Sequence, residues 1–214
     1  MHSLSISVLD ADFSNEKEWI RLLEKADVEY LHWDIMDGVY VPKKTFQADF
    51  VKEFKGKTKI PFDVHLMVQQ PDKYFLDYQD VADALTFHPE CCNKPGKLID
   101  DLKDNGIMAG LAINNTVEVE KVLPFIEDID LVLVMSVEAG LGGQKFNPPA
   151  LHKIKFLRDI IHHRHLKCKV EVDGGITDQT APLCIQAGTD ILVSGSYVFK
   201  SKNLHEAIDK LRFF

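Results

Sequence analysis

The residues best suited to chemistry stand in two short stretches in which polar and apolar side chains alternate. Residues 32–36 read His-Trp-Asp-Ile-Met, and residues 63–67 read Asp-Val-His-Leu-Met. Successive side chains of a β-strand point to opposite faces, so His32 and Asp34 share one face, and His65 occupies the corresponding face of the second stretch. Imidazole and carboxylate groups bind metals and transfer protons, so these stretches predict a metal site, a proton-transfer site, or both.

Two further candidates follow later strands. His88 ends the fourth candidate strand, and Asp173 ends the seventh, directly before a pair of glycines. If the strands are parallel, two histidines and two aspartates (His32, His65, Asp34 and Asp173) converge at the carboxyl ends of the strands. Two imidazoles and two carboxylates suit one Zn²⁺, Mn²⁺, Fe²⁺ or Co²⁺ ion. The alternative is a pair of hydrogen-bonded core histidines, which their matching depth beside Asp34 disfavours.

Glycines form a second pattern. Of the twelve glycines, those that follow the sixth, seventh and eighth candidate strands are Gly140, Gly142, Gly143, Gly174, Gly175 and Gly195. Glycine lets backbone N–H groups approach an anion closely, and phosphate sites of barrel enzymes are often built from these last loops. Ser196 adds a hydroxyl donor. Because no lysine or arginine is clearly placed in these loops, we expect phosphate to be held mainly by backbone dipoles.

These residues must be positioned by a regular alternation of strands and helices. Strands are predicted at residues 4–9, 30–36, 61–67, 84–88, 108–113, 131–136, 169–172 and 191–195. Amphipathic helical stretches are predicted at residues 16–25, 72–79, 97–105, 117–125, 149–163, 179–186 and 204–211, with a weaker pattern at 48–54. Strands that are each followed by a helical segment indicate parallel pairing with right-handed crossovers.

A closed (β/α)₈ TIM barrel is favoured over an open sheet. An aspartate recurs just before the second, fourth, sixth and eighth strands, as Asp27, Asp83, Asp130 and Asp190, which suits a circular arrangement of even number. No G-x-G-x-x-G follows the first strand, so the dinucleotide-binding fold lacks its fingerprint. Without a Pro/Ser-rich linker, we expect residues 1–214 to form one barrel domain.

The composition limits the classes of partner that we expect the protein to bind. The net charge of −8 disfavours nucleic acid, and it means that any anionic substrate is held by local groups. No run approaches the roughly 20 apolar residues of a membrane span, and no signal peptide is recognisable, so we expect no membrane partner and a cytoplasmic location. The four cysteines show no C-x-x-C spacing and are expected to be free thiols.

Six motifs, taken together, closely resemble those of the ribulose-phosphate 3-epimerases. They are S-V-L-D-A-D-F (residues 7–13), H-W-D-I-M-D-G (32–38), D-V-H-L-M (63–67), M-S-V-E-A-G-L-G-G-Q-K-F (135–146), E-V-D-G-G-I (171–176) and S-G-S (194–196). The resemblance extends over essentially the whole chain, in order and at matching intervals. It implies a barrel of the ribulose-phosphate-binding type that uses a divalent metal to interconvert ribulose 5-phosphate and xylulose 5-phosphate in the pentose phosphate pathway.

The resemblance also assigns roles by position. It implies that His32, Asp34, His65 and Asp173 bind the metal, and that Asp34 and Asp173 are the two acid–base residues. Ser7 and His65 would contact the hydroxyls and carbonyl of the substrate. The phosphate would be held by Gly142, Gly143, Gly175, Gly195 and Ser196, and Met36, Met67 and Met135 would pack around the reacting carbons. Inverting a stereocentre beside a ketone requires a proton removed from one face and another delivered to the opposite face, which two carboxyl groups can do.

The chain departs from the family pattern at several positions. Asp10 stands where a small residue is usual, Glu138-Ala139 replaces a common Asn-Pro, and Leu141 replaces a usual phenylalanine. An acidic group near a phosphate loop would weaken substrate binding if it points inward. The role of His88 stays open, as do the identity of the metal and the oligomeric state, a homo-oligomer included.

Three alternative functions remain. The first is an epimerase of a six-carbon ketose phosphate such as D-allulose 6-phosphate, which differs only in the length of pocket that it needs. The second is a sugar-phosphate-binding barrel without catalysis, which would be expected to lack one of the two aspartates. The third is a lyase or decarboxylase, which would need a lysine at the strand ends.

Overall fold

Eight parallel strands close into a barrel in the computed structural model, which describes residues 2–213. The strands are β1 (Ser3–Ser7), β2 (Tyr30–Met36), β3 (Phe62–Met67), β4 (Ala84–Phe87), β5 (Met108–Ile113), β6 (Leu131–Met135), β7 (Lys169–Asp173) and β8 (Ile191–Ser194). They pair in chain order, and β1 pairs with β8 to close the barrel. The predicted (β/α)₈ fold is confirmed.

Helices cover the outside of the barrel. They are α1 (Glu16–Lys25), α2 (Ala48–Lys55), α3 (Pro71–Tyr78), α4 (Pro95–Asp104), α5 (Ala150–His163), α6 (Ala181–Ala187), α7 (Ser196–Phe199) and α8 (Leu204–Arg212). The helix predicted at residues 117–125 was wrong, since that stretch forms two 3₁₀ turns, Val119–Lys121 and Leu123–Phe125. Pro124 accounts for this, because proline lacks a backbone N–H and clashes with the preceding helical turn.

The alternation in β2 separates an apolar layer from a polar interior. Leu31, Trp33 and Ile35 are buried in the main hydrophobic cluster, which also contains residues of the surrounding helices. The Trp33 ring, for example, meets Phe54 of α2 edge to face at a centroid distance of 5.1 Å. The opposite side chains, His32 among them, therefore point into the barrel.

The recurring aspartates join neighbouring strands at the amino-terminal end of the barrel. Their Oδ2 atoms accept hydrogen bonds from the backbone of the preceding strand: Asp83 from Phe62 at 2.6 Å, Asp130 from Ala109 at 2.9 Å and Asp190 from Val170 at 2.8 Å. The N–H of each aspartate donates in return to the carbonyl of the same partner. Each aspartate therefore accepts a hydrogen bond from a residue at the start of the preceding strand.

The first member of this repeat works differently. Glu29, two residues after Asp27, accepts the corresponding hydrogen bond from the N–H of Leu4 at 3.0 Å. Asp27 instead adopts a left-handed backbone conformation, with φ of 50°. Three of the four recurring aspartates therefore accept this backbone hydrogen bond. At the first position the longer side chain of Glu29 accepts it instead of Asp27.

Two expectations from composition can be compared with the structure. All four cysteines are free. Within residues 2–213, no helix combines the length and apolar character needed to cross a bilayer.

We expect Asp130→Ala to lower the free energy of unfolding by roughly 1–3 kcal/mol, because the N–H of Ala109 loses its charged acceptor. Asp128→Ala is the matched control, since Asp128 is exposed and its removal should change stability by less than about 0.5 kcal/mol. Chemical denaturation of both variants measures the difference. Equal stability of the two variants would contradict a clamping role for the recurring aspartates.

Candidate active site

Four predicted ligands meet at the carboxyl-terminal mouth of the barrel. His32 and Asp34 lie on β2, His65 lies on β3 and Asp173 ends β7. In the register of β2 with β3, Asp34 is the direct partner of His65. Each of the four offers one ligand atom, and these atoms all lie within 4.8 Å of one another. The structure thus brings together the four residues that the sequence singled out.

The two imidazoles present unpartnered nitrogens to this cluster. His32 and His65 are fully buried, and neither His32 Nε2 nor His65 Nδ1 has a hydrogen-bond partner. These nitrogens lie 3.4 and 3.5 Å from Asp34 Oδ1, which is long for a hydrogen bond. Neighbouring ligands around one small divalent cation lie roughly 3 Å apart, so the spacing and the donor set fit such an ion.

A buried carboxylate orients His32. Asp63 Oδ2 lies 2.6 Å from His32 Nδ1 and also accepts a hydrogen bond of 2.8 Å from the hydroxyl of Ser5. Burial raises the pKa of Glu171, and the charge of nearby Asp63 raises it further, well above its ordinary value. Glu171 forms a buried cluster with His32 and Asp63. Through its contact with Nδ1, Asp63 holds the His32 ring so that Nε2 faces the other ligands, as in many metal sites.

His88 lies behind His65. The Nε2 atoms of the two rings are 2.9 Å apart, and Nδ1 of His88 lies 3.5 Å from Glu90 Oε1. Tyr40 donates a hydrogen bond of 3.0 Å to the same oxygen. Burial lowers the pKa of His65 to about 4, so the ring is neutral, which is the form that binds a metal. His88 thus contacts His65 on the side away from the cluster.

The pKa values of the two aspartates are shifted in opposite directions. Burial raises the pKa of Asp34, but the His32 and His65 imidazoles lower it by more, so the net value lies below its ordinary range. Burial and the negative charge of Asp34 raise the pKa of Asp173 to about 7. Two carboxyl groups with pKa values pushed apart are typical of a site that uses one as base and the other as acid.

One cavity at the mouth of the barrel collects the remaining candidates. Its lining includes Ser7, Asp34, Met36, Met67, Met135, Gly142, Gly143, Asp173, Gly175, Gly195 and Ser196. The Ser7 hydroxyl donates a hydrogen bond of 2.7 Å to Asp34 Oδ2, which leaves Oδ1 facing the histidines. The three methionines are buried and line the same cavity as the two carboxyl groups with polarisable, aprotic side chains. The lining of the cavity thus combines acidic and apolar side chains.

The glycine loops after β6, β7 and β8 also line the cavity, through residues 140–143, Gly175 and residues 195–196. Gly175 has φ of +61°, and a Cβ on it would lie 2.4 Å from the backbone nitrogen of Phe146. Only glycine fits there, because a side chain would force the loops after β6 and β7 apart. The loops therefore line the cavity with backbone rather than with bulky side chains.

One basic side chain that the sequence did not clearly place near these loops approaches them. Lys200, just after α7, places its Nζ 3.1 Å from Asp10 Oδ2 and close to Gly143. The sequence pattern missed it because Lys200 and Asp10 are at opposite ends of the chain. Asp63 and Glu171 were also missed as functional residues, although each stands two positions before a predicted ligand on the same strand face.

Comparisons with known proteins agree with this geometry. Residues 3–199 match the model of the ribulose-phosphate 3 epimerase family. The chain is 37% identical over 214 residues to ribulose-phosphate 3-epimerase of Bacillus subtilis, covering 99% of both chains. It is 38% identical over 211 residues to the enzyme of the same name from Schizosaccharomyces pombe, covering 96% of this chain and 90% of the relative.

Solved structures support the fold. The 3-hexulose-6-phosphate synthase of Salmonella typhimurium superposes with a TM-score of 0.71 at 16% identity, covering 99% of this chain and 96% of that one. At such low identity the likeness concerns the barrel alone. The family match, which spans the motifs of the site, is the finding that classifies the protein: the chain belongs to the ribulose-phosphate 3 epimerase family.

Proposed function

We propose that the protein interconverts D-ribulose 5-phosphate and D-xylulose 5-phosphate by moving the proton on C3. The observation that carries the proposal is the pair Asp34 and Asp173, two carboxyl groups that line one cavity and that each bring an oxygen within 4.8 Å of the other and of the His32 and His65 nitrogens. The match to epimerases over nearly the whole chain supports the same reaction. Residues 1–214 would act as one catalytic domain.

Proton transfer is assigned to the two aspartates. One carboxylate removes the C3 proton from one face of the sugar, and the other carboxyl group delivers a proton to the opposite face of the planar enediolate. General acid–base catalysis of this kind contributes typically about 10²–10⁴-fold to the rate. Because the reaction runs in both directions, the two residues exchange the roles of base and acid. Met36, Met67 and Met135 crowd the reacting carbons and offer no competing proton.

We propose that His32, Asp34, His65 and Asp173 hold one divalent ion. The support is the pair of buried, unpartnered nitrogens that face Asp34. Two nitrogen and two oxygen donors suit Zn²⁺, Fe²⁺, Mn²⁺ or Co²⁺. Such an ion supplies positive charge that stabilises the negative charge developing on the substrate oxygens. Asp63 and His88 keep the two imidazoles oriented towards it.

The remainder of the cavity suits a sugar phosphate. Ser7 and His65 are assigned to the hydroxyls and carbonyl of the substrate. Backbone N–H groups at Gly142, Gly143, Gly175 and Gly195, with the hydroxyl of Ser196, are assigned to the phosphate, because such groups bind anions without a bulky side chain. Among the described residues no lysine lines the cavity, which disfavours a lyase that needs one there.

Comparing turnover on two substrates tests the proposed reaction. We expect kcat/KM for D-ribulose 5-phosphate to exceed that for D-allulose 6-phosphate by at least about tenfold. A preference for the six-carbon sugar would replace the proposed substrate with the longer one. Absence of turnover on either, with phosphate binding retained, would favour a barrel that binds sugar phosphates without catalysis.

Asp173→Asn should lower kcat by at least about 10²-fold, because one of the two proton carriers is lost. The circular dichroism spectrum should stay close to that of the unaltered protein, which shows that the fold is intact. Asp159→Asn, a substitution of an exposed aspartate on α5, is the control and should retain full activity. Full activity of Asp173→Asn would refute the use of two carboxyl groups.

Removing divalent ions with a chelator should abolish epimerisation, and adding back a divalent metal should restore it. Metal binding should also raise the melting temperature, since a ligand that binds only the folded state stabilises it. Activity, elemental analysis and thermal denaturation are measured on the same sample. Full activity of protein shown by elemental analysis to be metal-free would exclude the proposed ion.

Asp63→Asn should weaken metal binding by about 10- to 100-fold, the usual effect of losing a carboxylate that orients a ligating histidine. Affinity is measured by competition with a chelator of known strength, which does not depend on turnover. The Asp159→Asn variant serves again as the control. Unchanged affinity in Asp63→Asn would show that His32 needs no such partner.

A further inference from the structure

We propose that Lys200 is the cationic residue that binds the substrate phosphate in this protein, and that Asp10 holds its ammonium group at the rim of the cavity until phosphate arrives. This inference rests on the proposed function, which places the phosphate against the glycine loops. Lys200 lies outside the six motifs that carry the family resemblance, whereas Asp10 lies within the first of them, residues 7–13.

The position of the ammonium group is the first argument. Lys200 Nζ lies 3.1 Å from Asp10 Oδ2. It also lies 3.5 Å from the point that a Cβ would occupy on Gly143, and the hydroxyl oxygen of Ser196 lies 3.9 Å from the same point. An ammonium group and a hydroxyl group therefore flank one face of Gly143. Both donate hydrogen bonds, and both are close to backbone assigned to phosphate binding.

The charge of the cavity is the second argument. Among the described residues, the charged side chains that line it are Asp10, Asp34, Glu138 and Asp173, all of them acidic. Asp10 lies against one of the glycine loops, since its Oδ2 lies 3.1 Å from the point that a Cβ would occupy on Gly142. A phosphate dianion placed there would be repelled by Asp10. The adjacent ammonium group of Lys200 offsets that repulsion.

The exposure of the ion pair is the third argument. The Lys200 side chain is 66% exposed and the Asp10 side chain 26% exposed. Exposed ion pairs are weak, so little free energy is lost when the ammonium group leaves Asp10. A phosphate dianion carries more charge and more acceptor oxygens than one carboxylate and therefore competes well for the same lysine. The flexible lysine side chain can make this exchange without movement of the barrel.

The proposal predicts opposite effects for the two partners. Lys200→Met should raise KM for D-ribulose 5-phosphate and Kd for inorganic phosphate by about three- to tenfold, with a smaller effect on kcat. Lys200→Arg keeps the charge and should stay within about twofold of the unaltered protein. Asp10→Asn removes the repulsion and the competing acceptor, so KM and Kd should fall. When Asp10 is already replaced by asparagine, Lys200→Met should raise KM and Kd by a larger factor than it does in the otherwise unaltered protein.

A second ion pair provides the matched control. Lys97 on α4 pairs with Asp101, and its side chain is 67% exposed. Lys97→Met removes the same charge at a similarly exposed position, and KM should be unchanged. Equal shifts in Lys97→Met and Lys200→Met would overturn the proposal, because the effect would then be one of net charge.

The direction in which Asp10→Asn changes KM and Kd distinguishes a role in phosphate binding from a purely structural role. If Asp10→Asn raised KM and Kd as Lys200→Met does, the pair would only stabilise the loops, and the proposal would be wrong. Calorimetry with inorganic phosphate needs no turnover. If the unaltered protein bound phosphate but epimerised no sugar, the proposed function would fail, while the calorimetric comparison of the variants would still decide the role of Lys200.

Discussion

Burial of charged groups inside a barrel is the constraint on which the site depends. An isolated carboxylate or imidazolium is costly to bury unless other groups or a metal ion compensate it. Asp34 satisfies this requirement with the Ser7 hydroxyl on one oxygen and two imidazoles near the other. His32 and His65 are each held by one ring nitrogen and leave the other without a partner. His32, Asp34, His65 and Asp173 form a cluster that could hold a small divalent cation, because one ligand atom of each lies within 4.8 Å of the others.

Residues that stabilise the barrel and residues of the candidate active site lie at opposite ends of the barrel axis. At the amino-terminal end, Asp83, Asp130 and Asp190 join neighbouring strands through hydrogen bonds to the backbone. At the carboxyl-terminal end, the strand register brings side chains of β2, β3 and β7 to one cluster. This division is general in TIM barrels, where residues at the bottom face serve stability and those at the top face serve catalysis. The loops after β6, β7 and β8 also line the cavity, and we assign the phosphate to them.

Much of this was predictable because strand alternation is a local property. His32, Asp34 and His65 could be assigned to the interior from their spacing alone, and their convergence followed from parallel pairing. Asp63 was on the predicted face, but its bond to His32 depends on the register between two strands, which spacing within one strand does not give. Lys200 was missed because it contacts Asp10, which lies near the other end of the chain. The helix predicted at 117–125 does not form, because the apolar periodicity of that stretch is interrupted by Pro124.

The central claim is that two carboxyl groups act on opposite faces of the sugar, and proton exchange with solvent tests it most directly. D-ribulose 5-phosphate is converted in deuterated water, and the xylulose 5-phosphate formed in the first turnover is analysed by NMR for deuterium at C3. The account predicts that nearly every product molecule carries solvent deuterium at C3, since the proton is delivered by a different carboxyl group from the one that removed it. Product that retains the original C3 proton would contradict the account, because a single group would then have carried it across.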